Sequence, residues 1–309
     1  MKNKKRVIEF VIKICLMVIV IMISGCGRFQ DNNANYRSGN EGITLSFLDF
    51  DNREAFVEGE FLNLQVNVEN KGSYNYPIGR IFLTGFDKKS IFFSTTEKDI
   101  PPLEAKSQSL PVGEATTVIF DEQRAMRVPY GPEYSPIIQT TACFEYETKA
   151  FTSACIIPDI KKSFKGRINC KPSTVSLSSQ GAPVAVTSVE QRNTQNYMQF
   201  IVTINNVGKG IVVNREEFND CPFNLDHKKI NKVKLDMTIT GLGQAQCEND
   251  NIITLYDGTG IGICKFIVRP GPDYYETPLT INLEYAYTTN IKKQITIANP
   301  YYKGTEPEE

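Results

Sequence analysis

Side chains suited to acid–base, nucleophilic or metal chemistry are sparse in this chain. His227 is the only histidine among 309 residues, so a Ser-His-Asp triad, a Cys-His pair or a histidine-bound metal would each rest on one imidazole. It sits in Asn224-Leu-Asp-His-Lys-Lys229, a polar loop setting that reads as solvated. No glycine-rich phosphate loop occurs. Carboxylates alone can serve a glycosidase, and Glu145 and Glu147 stand two apart on a predicted strand, but nothing beside them would raise a pKa. Asp49, Asp51, Asn52 and Glu54 crowd oxygen ligands into one turn and could hold calcium weakly. Polar turns account better for them and for Glu248-Asn-Asp250-Asn251. No catalytic residue, metal site or cofactor is expected, which leaves cysteine and aromatic contact as the available chemistry.

The meaning of the cysteines depends on the compartment, and the N-terminus decides that. Lys2, Lys4, Lys5 and Arg6 precede an uninterrupted apolar run from Ile14 to Ile23. That is the length of a signal-peptide core and about half of a spanning helix. The run ends in Ile23-Ser24-Gly25-Cys26, which resembles the prokaryotic lipoprotein box. The resemblance implies cleavage before Cys26 and a lipid on its thiol, with residues 1–25 removed as a signal peptide. An uncleaved signal anchor reaching back through Val7 is the alternative, and either one exports the remainder. Cys15, inside the run, reads as one more apolar residue.

Beyond Cys26 lie Cys143, Cys155, Cys170, Cys221, Cys247 and Cys264, an even number in an exported chain, and disulfides follow. No C-x-x-C occurs, and a zinc site would need four scattered thiolates.

Residues 26–41 are polar and rich in Asn and Gly, the composition of a flexible tether. From Ile43 the pattern becomes that of strands. Leu62, Leu64, Val66 and Val68 alternate with polar residues, the period of a strand with one buried face. Met198, Phe200, Val202 and Ile204 repeat that phase, so VNVENKG at Val66 to Gly72 returns as VTINNVG at Val202 to Gly208. Four further matches keep the same order. Thr84-Gly85-Phe86 returns as Thr240-Gly241-Leu242, and Leu110-Pro-Val-Gly113 as Leu255-Tyr-Asp-Gly258. Gly131-Pro-Glu-Tyr134 returns as Gly271-Pro-Asp-Tyr274, and Phe144-Glu-Tyr146 as Leu283-Glu-Tyr285. The fold class is therefore all-β, with two homologous β-sandwich domains at 42–159 and 170–298. Residues 160–169 form a basic linker and 299–309 an acidic tail. Each repeat carries a full set of strand signals, so each is expected to fold separately.

The strand V-x-V-x-N-x-G, followed by Leu110-Pro-Val-Gly-Glu114 to Val118-Ile-Phe120, resembles the cell-adhesion-related bacterial and archaeal domain of immunoglobulin-like fold. The second copy departs from that pattern, with Thr259 in place of Glu and an insertion between Asn214 and Lys232. The resemblance implies two tandem immunoglobulin-like sandwiches used for attachment or display in the cell envelope, with no catalytic residues to carry over. The expected function is that of a membrane-anchored extracytoplasmic binding, adhesion or scaffold protein. Alternatives are a noncatalytic subunit of an envelope complex and, further off, a carboxylate-dependent hydrolase. The formal charge of −1 becomes about −5 without Met1 to Gly25, which gives no reason to expect nucleic acid. The expected partners are the membrane, through the lipid, and an envelope protein or polysaccharide. Tyr74, Tyr76, Tyr130 and Tyr134, with Tyr274 and Tyr275 in the second copy, lie beside Gly and Pro in loops. There they could serve recognition or pack loops over the sandwich ends.

Cys143 and Cys155 flank Lys149, where a final hairpin of the first domain should turn, so they are expected to pair across it. The other four allow three connectivities. Locality favours Cys247 with Cys264, leaving Cys170 with Cys221.

Overall fold

A computed structural model of the chain describes residues 36–48, 55–121, 123–158, 170–194, 197–268 and 274–303. Cys26, the turn at Asp49 to Glu54, the linker and Gly271 to Asp273 lie outside those residues. The first repeat contributes β1 (Ile43–Leu48), β2 (Ala55–Val57), β3 (Gln65–Asn70), β4 (Gly79–Thr84), β5 (Ile91–Phe92), β6 (Glu97–Ile100), β7 (Ala115–Ile119), β8 (Arg124–Ala125), β9 (Glu133–Tyr134) and β10 (Ile137–Ile156). The second contributes β11 (Thr174–Ser176), β12 (Val184–Asn193), β13 (Tyr197–Asn206), β14 (Val212–Val213), β15 (Lys232–Ile239), β16 (Gly243–Gln244), β17 (Gln246–Cys247), β18 (Ile252–Thr254), β19 (Thr259–Ile267), β20 (Tyr275–Gln294) and β21 (Thr296–Ala298). The described chain is thus nearly all-β. Among the described residues no helix is long and apolar enough to cross a membrane.

The period-two segments form strands with the predicted faces inward. Val66 and Val68 of β3, and Met198, Phe200, Val202 and Ile204 of β13, are buried. Leu64 is buried too, although β3 begins only at Gln65. The Gln123 side chain takes the place of a strand partner there, accepting from the Leu64 N–H (2.5 Å) and donating to its carbonyl (3.1 Å). The repeated asparagine has one role in both copies. Asn70 Nδ2 donates to the carbonyl of Tyr74 (2.8 Å), and Asn206 Nδ2 to that of Gly210 (3.0 Å), so each amide closes the turn after its strand. Gly85 and Gly241 share a left-handed φ of 89° and 90°, a backbone state that costs glycine nothing.

The repeats are joined more intimately than two closed sandwiches would be. The three-stranded sheet β1-β3-β7 and the five-stranded sheet β11-β12-β13-β19-β17 each belong to one repeat. The central sheet, β16-β15-β20-β10-β4-β6, draws on both. At its middle β10 and β20 run antiparallel for twenty residues each, from Ile137 opposite Gln294 to Ile156 opposite Tyr275. No hairpin turns at Lys149 or after Leu283, because Thr148 to Thr152 hold no turn residue and continue the alternation. Even-numbered residues of β10 and odd-numbered residues of β20 face one apolar core, which includes Val66 and Val68 from one repeat and Val202 and Ile204 from the other. Tyr146 stands directly opposite Tyr285, its counterpart in the duplication. A pseudo-twofold axis therefore passes between these rings, whose centroids are 6.0 Å apart.

The missing hairpin overturns the expected Cys143–Cys155 bond: twelve residues along one strand separate the thiols by about 40 Å. Cys143 instead bonds Cys221, and Cys155 bonds Cys170, which also removes the expected Cys170–Cys221 pair. Cys247 bonds Cys264 as anticipated. Cys143 points outward from the central sheet. The second repeat's insertion folds back over it there, burying Phe82, Val213, Phe218 and Ala286 around the disulfide. Three disulfides mark a chain folded in an oxidising, extracytoplasmic compartment.

Candidate binding surface

A small ribbon in the first repeat places an arginine between two exposed phenylalanines. Phe92 of β5 pairs with Arg124 of β8, and Phe61 forms a bridge to Arg124 from the other side. Residues directly opposite in an antiparallel pair project to the same face, so Phe61, Arg124 and Phe92 make one row, and Met126, two residues beyond Arg124, joins it. Neighbours of opposite parity, Leu62, Ile91 and Ala125, are buried and hold the ribbon to the core. The backbone is tied on both sides: Ala125 N–H donates to the Glu60 carbonyl (2.9 Å) and Met126 N–H to that of Ser90 (2.8 Å).

The outer face of this ribbon is apolar and open. Phe61 is 66% exposed, and Phe92 and Met126 are nearly half exposed. With Arg124 they line a groove of about 450 Å³. The Arg124 guanidinium lies 4.5 Å from the Phe61 ring centroid, a cation–π contact that leaves its N–H groups available. Phe92 also borders a second groove with Phe86, Lys88 and Phe93. A third, next along the chain, is lined by Lys89, Arg127 and Tyr130. Among the described residues Lys88, Lys89, Arg124 and Arg127 form no ion pair. The nearby acids are occupied with backbone N–H groups. Asp87 accepts from Lys89 (3.0 Å), Glu58 from Val128 (2.5 Å) and Glu60 from Val57 (3.1 Å). Four cationic side chains thus border the apolar rings, with Asp87 and Glu97 among the linings of the neighbouring grooves.

The six tyrosines singled out from sequence do not converge. Tyr76 is buried, donating to the Pro101 carbonyl (2.5 Å) with its ring edge-on to Phe144. Tyr74 donates to Glu147 Oε1 (3.2 Å) and packs against Tyr146; burial, then Glu147, pushes its phenol up to about 12. Tyr134 accepts from the Asp87 N–H (2.9 Å). Tyr130, 91% exposed, lines the groove that holds Asp87, Lys89 and Arg127. Tyr274 and the exposed Tyr275 lie at the start of β20, at the opposite end of the β10–β20 pair, about 60 Å away at 3.3 Å per residue.

The carboxylate pair is structural. Arg215, from the insertion, binds Glu145 (2.8 Å), Glu147 (3.4 Å) and Glu284 (3.4 Å), so the acids on this sheet face share one guanidinium. His227 is exposed. Among the described residues no group of acids, histidines or cysteines is arranged to hold a metal ion.

Phe61, Phe92, Arg124 and Met126 escaped the sequence reading, although a signal was present. Phe61 and Phe92 are large apolar residues on the parity opposite to buried Leu62 and Ile91. No protein-family model matches this chain, and no curated protein matches it in sequence.

Proposed function

We propose that the protein is a membrane-anchored extracytoplasmic binding protein of adhesion or scaffold type, without catalysis of its own, and that the Phe61–Arg124–Phe92 ribbon receives its partner. The observation that carries this reading is Arg124, without an ion pair among the described residues and set between two exposed rings on a ribbon tied by backbone hydrogen bonds. Its chemistry fits an acidic polypeptide segment with an apolar anchor residue: the anchor enters the groove beside Met126, and carboxylates meet Arg124, Arg127, Lys88 and Lys89. A polysaccharide would ask for several hydrogen-bonding side chains around the rings, whereas the four lining residues supply a single guanidinium. The lipoprotein box supports anchoring, and the resemblance to the cell-adhesion-related domain supports display at the envelope. On this reading the repeats are immunoglobulin-like sandwiches whose last strands have merged.

A photo-crosslinking residue at position 126, introduced in native cells, should capture a protein. Arg124→Glu or Phe61→Ala should reduce that adduct about tenfold or more, as for the central residue of an interface, while the three disulfides and the melting temperature stay unchanged. An adduct indifferent to both substitutions, or one made with a glycan, would overturn the assignment. For the anchor, Cys26→Ala should leave a longer, unprocessed precursor, because cleavage would wait on the diacylglyceryl group that only the thiol can carry, and its acyl chains would hold the mature protein to the bilayer. Equal mobility of variant and wild type, with the N-terminal peptide present in both, would remove the lipid from this reading.

A further inference from the structure

Sheet edges are normally defended by charge, shortness or cover. The edge strand β6 carries Glu97, Lys98 and Asp99, and β16 is two residues long. In the second repeat the outer edge of β19 is covered by β17. There Gln246 pairs with Lys265, the Glu248 N–H donates to the Ile263 carbonyl (3.0 Å), and the Cys247–Cys264 disulfide locks the strap down. The corresponding segment of the first repeat, β5, is displaced along the chain and pairs with β8, beyond the end of β7.

This displacement leaves β7 bare. Its sequence, Ala-Thr-Thr-Val-Ile, has no charge, no proline and no glycine. It pairs only with β3, and the Asn70 N–H bond to the Glu114 carbonyl (2.9 Å) sets the phase. Thr116 and Val118 therefore exchange hydrogen bonds with β3, while the N–H and C=O groups of Ala115, Thr117 and Ile119 point to the open side. Among the described residues no backbone group bonds them there. All three are exposed, Ile119 by 47%. The window is bounded by Glu104, which accepts from the Glu114 N–H, and by Ser94, which donates to the Asp121 carbonyl.

We propose that β7 is a self-association edge that pairs antiparallel with β7 of a second copy about a twofold axis at Thr117. The phase suits this pairing: Thr117 meets Thr117, and Ala115 meets Ile119 twice, each through outward-facing groups, for about six hydrogen bonds. The charges that flank the window do not oppose each other, since Glu114 falls opposite Phe120 and Asp121 opposite Gly113. Asp121 is also held by Lys98 at 2.5 Å. The same device already operates inside the molecule, where β10 and β20, counterparts in the duplication, pair antiparallel about the Tyr146–Tyr285 dyad.

The test uses the full-length protein in its own membranes, read on non-reducing gels. Thr117→Cys should give a disulfide-linked dimer, because opposed residues of a hydrogen-bonded pair lie about 5.5 Å apart at Cα. Differently tagged Ala115→Cys and Ile119→Cys proteins should link to each other when co-expressed, at least tenfold more than either links to itself. Ile119→Lys, on an exposed position, should abolish the Thr117→Cys dimer when the two are combined. Dimer yields no higher than from Val112→Cys, an exposed position off the strand, would overturn the proposal. So would Ala115→Cys linking to itself as readily as to Ile119→Cys, or a mixed disulfide with a different protein in place of the dimer.

Discussion

Replacing Tyr146 by alanine is expected to destabilise the whole molecule by roughly 3–5 kcal/mol, the range for truncating a fully buried aromatic ring. Tyr146 has no solvent exposure. Its ring packs against Tyr74, Phe144 and Tyr285, and its hydroxyl donates to the Gly181 carbonyl at 3.2 Å. A Cβ on Gly72 would come within 2.8 Å of Tyr146 Cζ, so this close approach depends on glycine having no side chain. Gly72 and Tyr74 belong to one repeat, and Gly181 and Tyr285 to the other, so the cavity opens in the core of both. Denaturant unfolding of Tyr146→Ala should therefore remain one transition, shifted to lower denaturant, with hydrogen-exchange protection falling together in β3 and β13. Loss of protection in β3 with β13 unchanged would show two independent domains and refute the shared core.

A comparable loss is expected for Cys221→Ser. Cys143 and Cys221 are 78 residues apart in sequence, and closing a loop of that length is worth about 4.5 kcal/mol on the chain-entropy account. The Cys155–Cys170 bond spans only 15 residues, for which the same account gives about 3 kcal/mol. Cys221→Ser should thus lower the melting temperature more than Cys170→Ser does. The insertion would keep its other ties to the first repeat, Arg215 to Glu145 and Arg80 to the Asn219 carbonyl (3.1 Å). Proteolysis should therefore speed up first around Lys228, in the exposed part of the insertion. Equal shifts for the two variants, or free thiols in the wild-type protein, would refute the account.

How much was legible in the sequence follows from the range of the interactions involved. The alternation at Val66 and Val68 and at Met198 to Ile204 is local, and it identified strands, inward faces and the duplication itself. The Cys247–Cys264 bond was legible for the same reason, since both cysteines belong to one short segment. Cys143 and Cys155 do not pair because no hairpin turns at Lys149, where no glycine, proline or asparagine calls for one. What replaced it, pairing with a strand from the other repeat, has no local trace. The tyrosines drew attention as a residue type, yet Tyr74 and Tyr76 serve the core. Phe61, Arg124 and Phe92 become neighbours only through cross-strand register, which spacing along the chain does not encode.

The β10–β20 pairing also sets an order of events for a chain that emerges N-terminus first. β10 bonds β4 only from Gln139 to Phe144, so its second half has neither neighbour in place until β20 arrives, more than a hundred residues later. In that interval the nascent first repeat presents a long, largely apolar strand with free edges, the state most exposed to mispairing. Contacts this distant in sequence also form slowly. The first repeat therefore cannot close until β20 has been delivered. A chain cut short ahead of β20 would forfeit both repeats, since β10 of one and β14 and β15 of the other pair with that strand.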